Sequence, residues 1–217
     1  MAEHVKPRRA YHSPRRQQQA AATRHGILLA AQGLFEQHGY PATTMEAIAA
    51  AAGVALKTVY LGFVTKSGLL RALWDLLLKG DQDDAAVAER RWYREVIDEP
   101  DPQRQLRLLA RNSRVVKERI SGVLKVIRSA ATVDADAAGL WRLIQSDFLA
   151  NQRVVVESLY AKAALRPDVG VEWATDVLWT LNHPDVWLLL VSERGWSPQE
   201  WEQWFAESSC AQLLPAR

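Results

Sequence analysis

The 217-residue chain has one cysteine, Cys210, so it can form no intramolecular disulfide. With only 11 glycines and 9 prolines, helix formers dominate and no convincing strand pattern emerges. No run of about 18 uncharged apolar residues occurs, which argues against a membrane-spanning helix. The basic N-terminus lacks the apolar stretch of a secretory signal. The marks of catalysis are missing as well. The five histidines (His4, His12, His25, His38, His183) show no metal-ligand spacing with cysteine or carboxylates. There is no phosphate-binding glycine loop, dinucleotide fingerprint or G-x-S-x-G elbow. Together these absences argue against an enzyme and call for no cofactor and no metal. They fit a cytoplasmic protein with no membrane partner.

What is present is a core-forming composition, 48% hydrophobic, and an uneven charge. The net charge is only +2. Residues 1–66, however, carry eight basic and three acidic side chains, or +5, and the remainder carries 19 basic and 22 acidic, or −3. A positive end on a near-neutral chain is the electrostatic footprint of a nucleic-acid binder. Residues 1–16 hold five of these cations with two prolines and read as a disordered arm. That arm is either a solvated tail or a segment that lies along phosphates or enters the minor groove.

The segment 43–66, TTMEAIAAAAGVALKTVYLGFVTK, carries the most information. Thr43 and Glu46 have the spacing of a capping box ahead of a short helix at about 44–51. Met45, Ile48, Ala49 and Ala52 share one face of it. Gly53 ends the run, and a turn over 53–55 leads into a second helix at about 56–61. Val54, Val59 and Phe63 face inward, leaving Lys57, Thr58, Tyr60 and Leu61 outside. Thr65 caps a third helix with Lys66 in its first turn, where the helix dipole favours an anion such as phosphate. Two short helices joined this way are either a helix-turn-helix or an alanine-rich hairpin in an ordinary bundle.

The stretch 24–70 resembles the DNA-binding domain of TetR-type transcriptional regulators. The resemblance rests on Arg24, Ile27, Leu28, Ala30, Ala31, Leu34, Phe35, Gly39, Tyr40, Thr43, Thr44, Ile48, Ala49, Ala52, Gly53, Val54, Thr58, Val59, Tyr60, Phe63, Lys66 and Leu69, in order and without gaps. It implies DNA contacts from Thr44, Lys57, Thr58, Tyr60 and Lys66, the last two mainly through phosphates. Three positions depart from the family pattern. Ala55 replaces a frequent serine cap, worth roughly 1 kcal/mol. Leu61 and Gly62 replace a histidine or aromatic pair, so the usual DNA contacts are not expected there; Leu61 can at most touch a thymine methyl.

Beyond Lys66 the pattern is helical: 66–79, 85–97, 102–119, 122–132, 136–165, 171–193 and 198–213, with a kink at His183-Pro184. All nine tryptophans lie there. They either fill a core and an interface or line a cavity for an apolar or aromatic ligand. Trp74, Trp92, Trp141 and Trp179 come from several helices and are the pocket candidates. Arg104, Arg107, Arg111 and Arg114 share one helix face, either solvated or reaching an acidic ligand or a carboxylate such as Asp75. His183 suits a ligand contact, a core position or a cap. Asp134 and Asp136 suit a helix cap better than a metal site.

The expected architecture is all-α. An arm over 1–16 precedes a helix-turn-helix DNA-binding domain at 17–66 and a helical ligand-binding and dimerisation domain at 67–217. The resemblance implies a homodimeric repressor of a double-stranded DNA operator, paired through 171–193 and 197–213. It also implies a small-molecule effector site in the C-terminal helices, for which Trp74, Trp92, Arg107, Arg111, Trp141 and Trp179 are the candidates. The competing reading is an all-α protein that binds or sequesters an aromatic small molecule, with the helix-turn-helix not its main functional element.

Overall fold

The structure, a computed structural model, describes residues 14–80 and 90–216, and every element among them is helical. The cationic arm expected over 1–16 lies outside the described residues except for its end. There, helix α1 (Pro14–Ala42) has already begun, so Arg15 and Arg16 ride on a helix. Gly39 breaks α1 with φ 77°, a backbone conformation that costs glycine little.

Helices α2 (Met45–Ala51), α3 (Leu56–Phe63) and α4 (Lys66–Lys79) follow. The cap of α2 is Thr44, whose side chain accepts from the Ala47 N–H, and not Thr43 as the T-x-x-E spacing suggests. Thr43 is buried and its hydroxyl donates back to the Gly39 carbonyl at 2.8 Å, tying α2 to the broken end of α1. Thr65 caps α4 as expected, accepting from Gly68. Gly80, with φ 80°, ends α4, and Arg119 donates to the carbonyls of Leu77 and Leu78 there.

The rest of the chain forms α5 (Arg91–Asp98), α6 (Pro102–Ala130), α7 (Ala135–Ala161), α8 (Val171–Leu181), α9 (Pro184–Trp187) with a π-helical continuation at Leu188–Glu193, and α10 (Pro198–Leu213). The break expected near residue 120 does not occur. Gly122 sits inside one continuous α6, with the Glu36 side chain of α1 lying close against it. At His183-Pro184 the helix ends outright, and His183 caps α9 through Nδ1, which accepts from the Asp185 N–H. Asp134 caps α7, and a Ser197–Glu200 capping box starts α10.

Two apolar cores result. The first joins α1–α4 to the second half of α6 and the first half of α7. The second joins α5 and the other halves of α6 and α7 to α8 and α10. The DNA-binding unit therefore shares its core with the long helices instead of hanging from a linker. No single described helix is long and apolar enough to cross a membrane.

Candidate nucleic-acid interface and core cavity

The chain bends by 112° between α2 and α3, inside the range of a helix-turn-helix. Gly53, with φ 67°, makes the turn. Val59 and Phe63 are buried beneath α3, while Lys57, Tyr60 and Leu61 are exposed and Thr58 is partly so. Thr44 is also exposed, at the N-terminus of α2. As the sequence indicated, Ala55 supplies no side-chain cap to α3. The far end of α3 is held instead by Arg24 of α1, which donates to the Gly62 carbonyl at 2.7 Å and lies 4.2 Å from the Phe63 ring centre. Arg16, Arg24, Thr58 and Leu61 line one surface groove between α1 and α3.

Lys66 is placed differently from Lys57. Its ammonium donates to the carbonyls of Tyr40 at 2.8 Å and Thr43 at 3.0 Å, over the Tyr40 ring. Two of its three donors hold the turn between α1 and α2, so one remains for a phosphate. Val64, between α3 and α4, has φ 61° and ψ −54°, and the Thr65 N–H donates to the Phe63 carbonyl at 2.6 Å. That is a γ-turn of the strained, positive-φ kind, on a β-branched residue.

The same region is bonded to the start of α7. The Tyr40 hydroxyl donates to Asp134 at 2.7 Å and the Ser67 hydroxyl to Asp136 at 3.1 Å. Burial and the Asp134 carboxylate push the Tyr40 hydroxyl well above its usual range, and the hydrogen bond from Tyr40 holds Asp134 below its own. The D-x-D pair is thus a cap and a clamp, and nothing in its spacing disclosed the clamp.

Where the two cores meet lies a cavity with about 930 Å³ of space free of protein atoms, part of it open to solvent. Its walls come from α4 (Trp74, Leu78), α5 (Trp92, Tyr93), α6 (Leu109, Val116, Ile120) and α7 (Ile144, Phe148). Of the six candidates, Trp74 and Trp92 line it. Arg107 faces a separate groove beside Cys210, Arg111 is exposed, and Trp141 lines a shallow depression with Arg128 and Asp185. Trp179 packs 4.7 Å from His183 and is not among the lining residues. Arg104 pairs with Glu99, Arg114 with Glu202 and Glu118, and Asp75 with Arg71, so none of these joins the arginine face to Asp75.

The polar part of the cavity was missed by the sequence reading. Lys117 of α6 is only 4% exposed, and its ammonium donates to Asn182 at 2.6 Å. Asn182 in turn donates to Ser113 and Gln152. Burial pushes the Lys117 amine down to about 7. Its signal was present in the spacing. Leu106, Leu109, Ala110, Ile120, Leu124 and Ile127 form the buried stripe of α6, and Lys117 sits on that stripe.

Comparison with known proteins agrees with this geometry. Residues 27–73 match the family model described as bacterial regulatory proteins, tetR family. No curated protein sequence matches the chain. Among solved structures it is similar to NalD, secondary repressor of the MexAB-OprM multidrug efflux pump in Pseudomonas aeruginosa, at 23% identity and TM-score 0.67, covering 91% of this chain and 100% of that one. It is also similar to SmeT, repressor of the Stenotrophomonas maltophilia multidrug efflux pump SmeDEF, at 19% identity and TM-score 0.67, covering 90% and 92%. A SmeT–triclosan complex aligns at 20% identity and TM-score 0.71, covering 89% and 92%. At these identities the structural likeness establishes the fold, and the family match assigns residues 27–73 to the DNA-binding segment of tetR-family regulatory proteins: the chain carries that helix-turn-helix on the all-α fold of the regulators it resembles.

Proposed function

We propose that the protein is a homodimeric repressor, released from a palindromic operator by a small molecule with an apolar body. The observation that carries this reading is that α4 and α7 each run from the cavity wall to the helix-turn-helix. On α4, eight residues separate Lys66 from Trp74, about 12 Å of helix. On α7, ten residues separate Asp134 from Ile144, about 15 Å. Packed helices move as units, so a ligand that displaces the cavity ends of α4 and α7 displaces the clamp on Tyr40 and Ser67 with them.

A single helix-turn-helix buries too little for tight, specific binding. Two recognition helices one DNA turn apart, about 34 Å, provide both. Thr44, Lys57, Thr58 and Tyr60 are the operator contacts in this reading, and Lys66 adds its one remaining donor. Trp74 and Trp92 belong to the effector site. The dimer forms through α8 and α10, where Trp173 of α8 leaves 47% of its surface to be covered. SmeT, of the same fold, is a repressor for which a triclosan complex exists, and it provides the precedent. Ligand and DNA must then weaken each other by one factor, typically about 5- to 150-fold.

The test is a gel-shift titration at fixed salt on DNA flanking the protein's own gene, with and without ligand. Binding to one palindrome is expected. The Lys57→Ala, Tyr60→Ala double variant should lose it while keeping ligand-induced tryptophan quenching. Failure to bind any palindrome, or unchanged binding by the double variant, overturns the reading. A variant series that binds ligand but never DNA would favour a plain small-molecule-binding protein.

A further inference from the structure

The cavity combines an apolar body with one buried cation. Its walls are mainly aromatic and aliphatic with several amides, the lining carboxylate Asp147 is solvent-exposed, and at one side Lys117 lies between the rings of Phe148, 5.7 Å from its ammonium, and Trp201, 4.8 Å away. Among the described residues no carboxylate lies within ion-pair distance of it, and its amine donates to the neutral Asn182 amide. Buried ammonium groups are otherwise paired or lose their proton. One helical turn earlier on α6, Ser113 also lines the cavity. Its oxygen accepts from Asn182, which leaves its own hydrogen to donate.

We infer that the effector is an aromatic or alkyl carboxylate, its head group seated against Lys117 and Ser113 and its body among Trp74, Trp92 and Phe148. The inference rests on the cavity being the effector site. A single cation selects a single negative charge, and a charge-assisted pair formed out of water is strong. A neutral ligand leaves the amine uncompensated, and a cationic one is repelled. The other role open to Lys117 is purely structural, bracing α6 against the α8–α9 junction. A structural lysine gives the cavity no preference for ligand charge, so the two roles part on one measurement.

The experiment uses the full chain without DNA and three ligands sharing one body: 4-phenylbutyrate, 4-phenylbutyramide and 4-phenylbutylamine, titrated by calorimetry. Naphthyl and longer alkyl homologues of each extend the series. The carboxylate is expected to bind at least about tenfold more tightly than the amide, with the amine weakest. In Lys117→Met the carboxylate should fall to within about twofold of the amide, while amide binding is kept. Equal affinities in the wild-type protein, a preference that survives Lys117→Met, or no binding by any carboxylate of the series each overturn the inference. The wild-type comparison stands alone if the variant does not fold, and Lys117→Gln repeats it with a polar side chain. A gel shift separates this inference from the repressor reading. A carboxylate that binds through Lys117 yet leaves operator affinity unchanged defeats induction by that ligand, and its effector role with it, while the charge preference of the cavity stands. Release by aromatic ligands regardless of charge keeps induction and defeats only the carboxylate.

Discussion

Replacing Lys117 with methionine removes a buried charge and keeps the length of the side chain. The amine is lowered from 10.5 to about 7 with burial as the only cause, so keeping it charged costs up to about 5 kcal/mol at 1.36 kcal/mol per pH unit. Methionine leaves the Asn182 oxygen without its donor, which costs about 1–3 kcal/mol. At pH 6.5 the variant should therefore be more stable than wild type by about 2–4 kcal/mol. The sign of the pH dependence follows from proton counts. Below about 7 the lysine is protonated in both folded and unfolded states, and the full cost is present. Between about 7 and 10.5 the folded protein gives up its proton while the unfolded chain keeps it, so wild-type stability climbs with pH. By pH 9.5 that climb amounts to about 3 kcal/mol and the variant's advantage should be gone. The titratable neighbours around this wall are His183, Asp147 and Tyr93. Burial lowers His183 and raises Tyr93, which moves both away from the window; the Lys117 charge adds to the lowering of His183, so its removal lets His183 rise toward its ordinary value, still below the window. Urea unfolding of ligand-free protein at both pH values measures the gap. A gap of the same size at pH 6.5 and 9.5 would refute the reasoning, because it would mean that Lys117 does not lose a proton on folding.

Two further substitutions address the recognition helix. Gly62→Ala should stabilise the protein by about 0.5–1 kcal/mol, since a methyl group there meets nothing closer than the Arg24 guanidinium at 3.8 Å and the position is helical. A loss of stability in thermal unfolding would mean that the Arg24–Gly62 contact needs a bare backbone. Val64→Gly should relieve the positive-φ turn and stabilise by about 1 kcal/mol, net of glycine's greater freedom when unfolded. Val64 is 74% exposed, so little packing is lost, and a destabilised variant would show that the turn is not strained.

The elements set by local rules were legible from the chain alone. The helix-turn-helix, the Thr65 and Asp134 caps and the buried face of α3 all follow from residues within a few positions of one another. The errors came where a distant group decides. Thr43 and Thr44 are equivalent as local caps. The break of α1 at Gly39 brings its carbonyl to Thr43 and leaves α2 to Thr44. Gly122 reads as punctuation until Glu36 is placed against it, after which it reads as close packing. At Lys66 the dipole of α4 was a sound local argument for a phosphate, but the carbonyls of Tyr40 and Thr43, 26 and 23 residues away, claim most of the ammonium.

Lys117 is a different case, because its signal lay in the sequence and was of a kind that is easy to pass over. Arginines and lysines abound on α6, and most face water or pair with carboxylates, as Arg104 and Arg114 do. What separates Lys117 is phase. Counting threes and fours from Leu106 through Ala110 and Ser113 arrives at Lys117 and continues to Ile120, Leu124 and Ile127, all buried except the serine, which is partly so. A lysine on the apolar stripe of a helix breaks the rule that its neighbours keep. Such a break costs stability unless another group compensates it, and such costs concentrate at functional sites. In this protein the helix that breaks the rule passes through both cores, and the break falls where they part to leave a cavity. The tryptophans drew attention as pocket-formers by size, yet most of them pack. The residue that gives the cavity its chemical character is the one whose period, and not whose type, set it apart.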